Sequence, residues 1–264
     1  MATDSSMPFD IRLMNGVASL LFVGVLLGLL AAALLWLARA PVLHIRMIEL
    51  EGELQRNSVA TIRANAAPRL AGNILSIDLD KARAAFEAVP WVRQATLRRI
   101  WPDRLAVHLS EHHPVALWLG EDGNERLVDD FGDVFEANVG EVEEEQLPQF
   151  SGPDGSSAQM LALYRRLQPL WAAHQLRPEV LQLSGRGSWR LELDTGATVV
   201  LGRGSEDELV ARSERFLRTL GQVTGRFQRD LEHADLRHAD GYAVRLRGVT
   251  TTIDPAAAAA KKPR

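Results

Sequence analysis

The feature that most constrains this chain is an unbroken apolar run at residues 17–37, VASLLFVGVLLGLLAAALLWL, with Ser19 as its sole hydroxyl and no charge. Its twenty-one residues would make roughly 31 Å of helix, matching a bilayer hydrocarbon core of about 30 Å. A helix apolar on every side needs lipid or a large protein core around it, and core helices of this length seldom lack polar residues altogether. Trp36 sits near the far end, where interfacial aromatics anchor membrane helices. Ala38-Arg39-Ala40 looks like a signal-peptidase box, but Pro41 would follow the cut. The run also exceeds the roughly 7–15 residues of a signal h-region. It reads as an uncleaved anchor. Its orientation stays open on charge alone: Arg12 precedes it beside Asp4 and Asp10, and Arg39 and Arg46 follow.

The rest of the chain has the composition of folded domains. Of 264 residues 46% are hydrophobic and 24% charged, which argues against a disordered or collagen-like chain. A net charge of −4 sets up no field that would recruit nucleic acid. With no cysteine there is no disulfide framework, thiol nucleophile, Cys-ligated zinc or iron–sulfur cluster.

After Pro41, alternation over 44–50 ending at Gly52 predicts a strand. Asn57 or Ser58 can cap a short helix ending before Pro68. Asp78 can cap a second helix that carries Leu79, Ala82, Phe86 and Val89 on one face and stops at Pro90. A hairpin follows, 92–100 and 104–111, whose Trp101-Pro102-Asp103 turn suits type I. The order β-α-α-β-β makes a small domain of its own. From Pro114 onward the pattern is mostly strand: 115–118, 126–129 and 134–136, then a solvated acidic loop with Glu141 and Glu143 to Glu145. A helix over 157–174 with a bend at Pro169 precedes a hairpin, 189–193 and 198–201. Ser205-x-x-Glu208 is a capping box opening a helix with Leu209, Phe216, Leu217 and Leu220 on one side. Strands at about 231–237 and 242–247 close the body, and 248–264 reads as a disordered tail.

Catalytic signatures are missing. Gly202-Arg203-Gly204 before a helix hints at a phosphate loop, but Glu206, Asp207 and Glu208 already occupy that helix start. His108 and His112 on one strand would lie about 13 Å apart, too far to share a metal. Neither a Gly-x-Ser-x-Gly elbow nor a helical His-Glu-x-x-His occurs. The chain reads as a non-enzyme without cofactors or metal.

Five segments in order, PWVRQATLRRIWPDRLAVHLSEHHPVALW (90–118), LVDDFGDVFEA (127–137), LPQFSGPDGSS (147–157), SWRLELDTGATVVLGRG (188–204) and ADLRHADGYAVRL (234–246), resemble the FtsQ/DivIB family of bacterial cell-division proteins. The resemblance implies an α+β fold behind a single transmembrane helix. Its parts would be a cytoplasmic tail (1–15), the helix (16–37), a linker (38–42), a POTRA domain (43–112), a mainly antiparallel β domain with flanking helices (113–247) and the tail (248–264). It also supplies an orientation: N-terminus cytoplasmic, body periplasmic, at the inner membrane of the division septum. The function it implies is an essential divisome scaffold that binds FtsB and FtsL, links early and late division proteins, and regulates septal peptidoglycan synthesis. FtsK, FtsW and FtsI are further partner candidates. In this family the last strand of the β domain receives a segment of FtsB as an added strand.

The residues carry an independent argument for that strand. Tyr242, Val244 and Leu246 point one way and Ala243, Arg245 and Arg247 the other, and nothing foldable follows. An unpaired sheet edge can take up an extended peptide by β-augmentation, and outward arginines favour an acidic one. The same arginines could instead serve only to keep an edge soluble. By position the resemblance assigns Arg237 and His238 to a partner-facing Arg-aromatic pair, with His238 where Tyr is more usual. Asp240 and Gly241 form the turn into the docking strand of Tyr242, Val244, Arg245 and Leu246. Arg186, before Trp189, matches a second partner-contacting arginine, with Gly187 intervening before Ser188. Two rival readings remain: another membrane-anchored POTRA protein acting in protein transport or outer-membrane assembly, which would usually carry a barrel of roughly 10-residue lipid-facing strands, and a membrane-tethered periplasmic enzyme.

Overall fold

The computed structural model describes residues 9–38, 44–52, 54–66, 73–120, 123–238 and 241–249. The expectations for residues 1–8, for 39–42 of the linker, for Asp240 and for the tail from 250 lie outside the described residues.

Helix α1 (Phe9–Ala38) begins before the apolar run. Its Gly16–Ala33 stretch has a mean hydropathy of 2.4, and none of it is buried against protein. A core helix would be covered on at least one face. This one is long and apolar enough to cross a membrane, and no protein core takes the place of lipid.

The chain divides into two compact units, residues 1–111, which include α1, and residues 112–264. The first unit has β1 (Met47–Gly52), α2 (Val59–Ala66), α3 (Leu79–Glu87), β2 (Val92–Ile100) and β3 (Arg104–Glu111), in the β-α-α-β-β order expected. Strand β3 lies in the middle, parallel to β1 and antiparallel to β2. Alternation puts Leu105, Val107 and Leu109 on the face covered by Ile62, Ala82 and Phe86. Asp78 caps α3 by accepting from the Asp80 and Lys81 amides. For α2 the cap is Ser58, whose hydroxyl accepts the Thr61 N–H at 3.0 Å. Asn57 is buried instead and donates to the Pro90 carbonyl at 2.8 Å. The Glu111 carboxylate closes this corner by accepting the amides of Gln55, Arg56 and Asn57 at 2.8, 3.0 and 2.9 Å. The hairpin turn differs from a type I turn in holding a cis Trp101–Pro102 bond, an isomer that the tertiary X–Pro amide makes accessible.

The second unit is a nine-stranded mixed sheet in the order β12-β11-β10-β9-β8-β7-β4-β5-β6. Its strands are β4 (Pro114–Leu119), β5 (Glu125–Asp129), β6 (Val134–Phe135), β7 (Gln149–Ser151), β8 (Pro178–Leu183), β9 (Trp189–Leu193), β10 (Thr198–Gly202), β11 (Leu231–Asp235) and β12 (Ala243–Leu246). Helices α4 (Ser157–Ala172) and α5 (Glu206–Phe227) share one core with it, built around Trp118, Phe150, Met160, Trp171, Leu191 and Phe216. Five of the eight strand pairings are antiparallel.

Sequence reading missed β7 and β8. Strand β7 has three residues and is parallel to both neighbours, so its partners come from distant segments: β4 lies back beyond β5 and β6, and β8 follows the α4 crossover. The acidic stretch, expected as a solvated loop, is a 3₁₀ helix (Val139–Glu145) with Asn138 accepting the Gly140 N–H and Val142 buried. His112 does not share a strand with His108: it lies just beyond β3 and bonds Asp129 at 2.8 Å.

Candidate functional site

The expected docking strand is built from α5 upward. Ser205 and Glu208 form the capping box at the helix start, and Leu209, Phe216, Leu217 and Leu220 make its buried face. Phe216 meets Tyr242 edge-on at 5.0 Å between ring centroids, and the Tyr242 hydroxyl bonds that of Thr219. Val244 packs on the same core and Leu246 is buried in it. Ala243, Arg245 and Arg247 are exposed on the opposite face. The alternation expected from the sequence is therefore present, although β12 spans four residues and Tyr242 and Arg247 flank it.

This inward packing has a consequence for the backbone. In an antiparallel pair successive residues direct their N–H and C=O alternately toward and away from the neighbour. The Arg247 amide bonds the Asp230 carbonyl, so Arg247, Arg245 and Ala243 address β11. The other side of β11 agrees: the Leu236 amide bonds Val200 on β10, which turns Asp235 and His233 toward β12. Tyr242, Val244 and Leu246 thus aim their side chains into the core and their backbone groups at the open edge. Among the described residues β12 pairs with β11 alone. The ladder is short. The Leu246 carbonyl already accepts the Val249 N–H, which leaves, among the described residues, the Val244 N–H and C=O, the Tyr242 C=O and the Leu246 N–H along the edge.

Strand β11 ends at Asp235, two residues before its expected end, so Arg237 and His238 lie past the strand. Arg237 grips Asp235, with Nε at 2.9 Å from Oδ1 and Nη2 at 2.6 Å from Oδ2. This side-chain bonding to Arg237 holds the Asp235 carboxyl down at about 2, below its ordinary 3.8. The stem of Arg237 lies over Gly202, where φ is +84° and a Cβ would come within 2.7 Å of it. His238 is exposed and Gly241 half-buried. Arg237, His238, Gly241 and Tyr242 therefore gather where β12 begins, and Asp240 lies outside the described residues.

Arg186 is placed differently. It is exposed at the tip of the turn between β8 and β9, closed by the Ser184 amide on the Ser188 carbonyl at 2.9 Å. Register puts that turn at the same end of the sheet, since Trp189 pairs with Gly202 and Val200 with Asp235. Three strand spacings still separate β9 from β12, roughly 14 Å. The geometry unites Arg186 with the others at one end but does not set it against the edge strand. Sequence reasoning missed Asp235 and Thr219, the residues that fix Arg237 and Tyr242. An Asp-x-Arg pair at a strand end was the available signal for the first.

Among the described residues no group of three His, Asp or Glu side chains could hold a metal ion. What the edge offers is recognition: exposed backbone groups beside the exposed cations Arg237 and Arg245.

Comparison with known proteins bears on both units. The family profile described as "POTRA domain, FtsQ-type" matches residues 43–112, and "Cell division protein FtsQ/DivIB, C-terminal" matches residues 116–237. The second match ends at Arg237, before β12. A protein of Burkholderia pseudomallei named "Cell division protein FtsQ" is 40% identical over 246 residues, 93% of this chain and 96% of its own length. Proteins of the same name from Thiomonas arsenitoxydans and Neisseria meningitidis are 42% and 32% identical, covering 92% and 82% of this chain and 89% and 88% of their own lengths.

Proposed function

The chain belongs to the FtsQ/DivIB family of cell-division proteins, and on that premise we propose that it is a non-enzymatic divisome scaffold whose β12 edge captures a strand of FtsB. In this reading α1 anchors it in the inner membrane, residues 1–15 are cytoplasmic and the folded body from residue 43 onward works in the periplasm at the septum. There it would join FtsB and FtsL to the rest of the machinery, FtsK, FtsW and FtsI included, and so regulate septal peptidoglycan synthesis. One observation carries the docking mode: β12 closes the sheet with Val244 presenting its N–H and C=O outward while its side chain is held in the core.

Magnitudes say what else the partner must do. Four edge groups at about 1 kcal/mol net each supply about 4 kcal/mol, a millimolar interaction by itself. Micromolar capture needs about 8 kcal/mol, so side chains must contribute as well. Arg245 beside the edge and Arg237 at its start suit acidic residues on the incoming strand, through charge-assisted bonds. The Arg237 guanidinium is preset by Asp235 and so loses little freedom on contact.

The test uses the register. Val244→Pro removes an N–H that faces the open edge and leaves the β11 ladder whole, because proline is tolerated at edge positions. In full-length protein reconstituted in detergent we expect at least about a tenfold loss of affinity for a periplasmic FtsB fragment, 1.4 kcal/mol or more, with the unfolding transition retained. Undiminished capture by a folded Val244→Pro protein rejects the assigned edge.

A further inference from the structure

The Trp101-Pro102-Asp103-Arg104 hairpin tip of the first unit plays no part in the β12 edge. Trp101 is 59% exposed, Met47 50% and Leu75 47%, and they are brought to one end of the domain. Met47 pairs with Arg104 in the parallel β1–β3 register, so β1 starts beside the turn joining β2 to β3. The Arg46 amide bonds the Asp103 carbonyl at 2.9 Å, and the His44–Asn73 bridge ties the Leu75 turn to the same stretch of chain. Arg46 and Arg104 lie at this end, with Arg98 opposite Ala106 a little further along the hairpin, against Asp103 and Glu49; Arg46 lies 4.0 Å from Asp103, and Arg104 bonds Glu49 at 3.0 Å. Three exposed apolar side chains gathered at one end of the domain, with arginines beside them, make that end a candidate contact surface.

Chain length points to what it contacts. From Ala38, the last residue of α1, to Met47 there are nine Cα steps, at most about 30 Å fully extended. That is about one diameter of a domain this size, and the headgroup layer takes up roughly 5–8 Å of it. The end of the domain that the tether reaches first is the end carrying Trp101 and Met47. Interfacial tryptophan with flanking arginines is the side-chain chemistry of the bilayer surface, with apolar bodies at the headgroup boundary and cations on anionic headgroups.

We propose that the β2–β3 hairpin tip, through Trp101 with Met47 and Leu75, seats on the lipid headgroup layer next to the anchor helix and sets the first unit's stance on the membrane. This rests on α1 spanning the bilayer and is independent of the β12 reading. Because the chain has no cysteine, single reporters can be introduced cleanly. Full-length protein with a nitroxide on Asp103→Cys, or on Leu75→Cys away from the hairpin, is placed in nanodiscs of phosphatidylethanolamine and phosphatidylglycerol. Accessibility to dissolved oxygen and to an aqueous nickel complex is then compared, with a Leu27→Cys label in α1 as the anchor control. The expected result is oxygen favoured over nickel at 75 and 103, reversed when Trp101→Gln is added and weakened when the anionic lipid is left out. A lipid-exposed label at 27 with aqueous labels at 75 and 103 overturns the proposal while sparing the anchor. So does a tip that is protected only after another divisome protein is added, which would make the patch a protein-docking surface.

Discussion

At one end of the nine-stranded sheet β6 has two residues and leans on a buried polar knot; at the other, β12 has four residues and no such support. Beside β6, Asp129 is wholly buried and accepts the amides of Phe131 and Asp133 at 3.0 and 2.8 Å and the His112 ring at 2.8 Å. His112 stacks flat on Phe135 at 4.1 Å, and Ser157 donates to the Gly132 carbonyl at 2.6 Å. Strand β12 is held by its antiparallel ladder to β11 and by side chains reaching down to α5, and the backbone groups of Tyr242, Val244 and Leu246 face outward. A short edge with a buried polar anchor offers little to a passing strand, whereas a longer one fixed from beneath stays available. Outward Arg245 and Arg247 then restrict the guests by charge instead of by closure.

The contrast should show first in stability. Asp129→Ala strands two amides and an imidazole in a buried site, and about 3 kcal/mol of unfolding free energy should disappear. Asp129→Asn keeps an acceptor for the Phe131 and Asp133 amides and should lose less. Urea titration of the full-length protein in detergent gives both values. If Asp129→Ala lowers the midpoint no more than Tyr242→Phe does, the two edges are not anchored differently.

A pair of prolines sharpens the comparison at the open edge. Arg245→Pro deletes an N–H directed at β11 and should cost about 2 kcal/mol, whereas Val244→Pro should cost about 1 kcal/mol, mainly in packing. Hydrogen exchange at the His233 and Asp235 amides distinguishes them, rising for the first and holding for the second. Equal exchange in both variants would mean that the outward set is not Tyr242, Val244 and Leu246.

Where the sequence was legible, the cause was local. The alternation of Tyr242, Val244 and Leu246, the Ser205–Glu208 capping box, the Asp78 cap and the β-α-α-β-β order all follow from spacing within a dozen residues. What escaped depends on partners far along the chain. Strand β7 exists because β4 and β8 flank it, Asn57 is buried because Glu111, 54 residues away, accepts its amide, and His112 owes its role to Asp129. The site divides the same way: its edge strand could be read directly, but the support from Thr219 and Asp235 could not. Register places the Arg186 turn at that end of the sheet, and only the strand order reveals the three spacings between β9 and β12.

The smallest effect concerns how Arg237 is held at the start of the open edge. Asp235 titrates at about 2 in the folded protein, chiefly through its bonds to Arg237. An unfolded Asp titrates near 3.9, so the folded state binds fewer protons there. The contribution is complete above about pH 4 and fades as pH falls toward 2. Arg237 has a 61% exposed side chain, so solvent screening should keep the pair below about 1 kcal/mol. Unfolding measured at pH 5 and at pH 2.5 should show a slightly shallower acid loss in Arg237→Ala than in the parent, and FtsB capture at pH 7 should fall in the same variant. Parallel acid curves would show that Asp235 does not preset the guanidinium. Arg237 would then reach a partner as a free side chain, paying the ordering entropy on contact that the bidentate grip otherwise spares it.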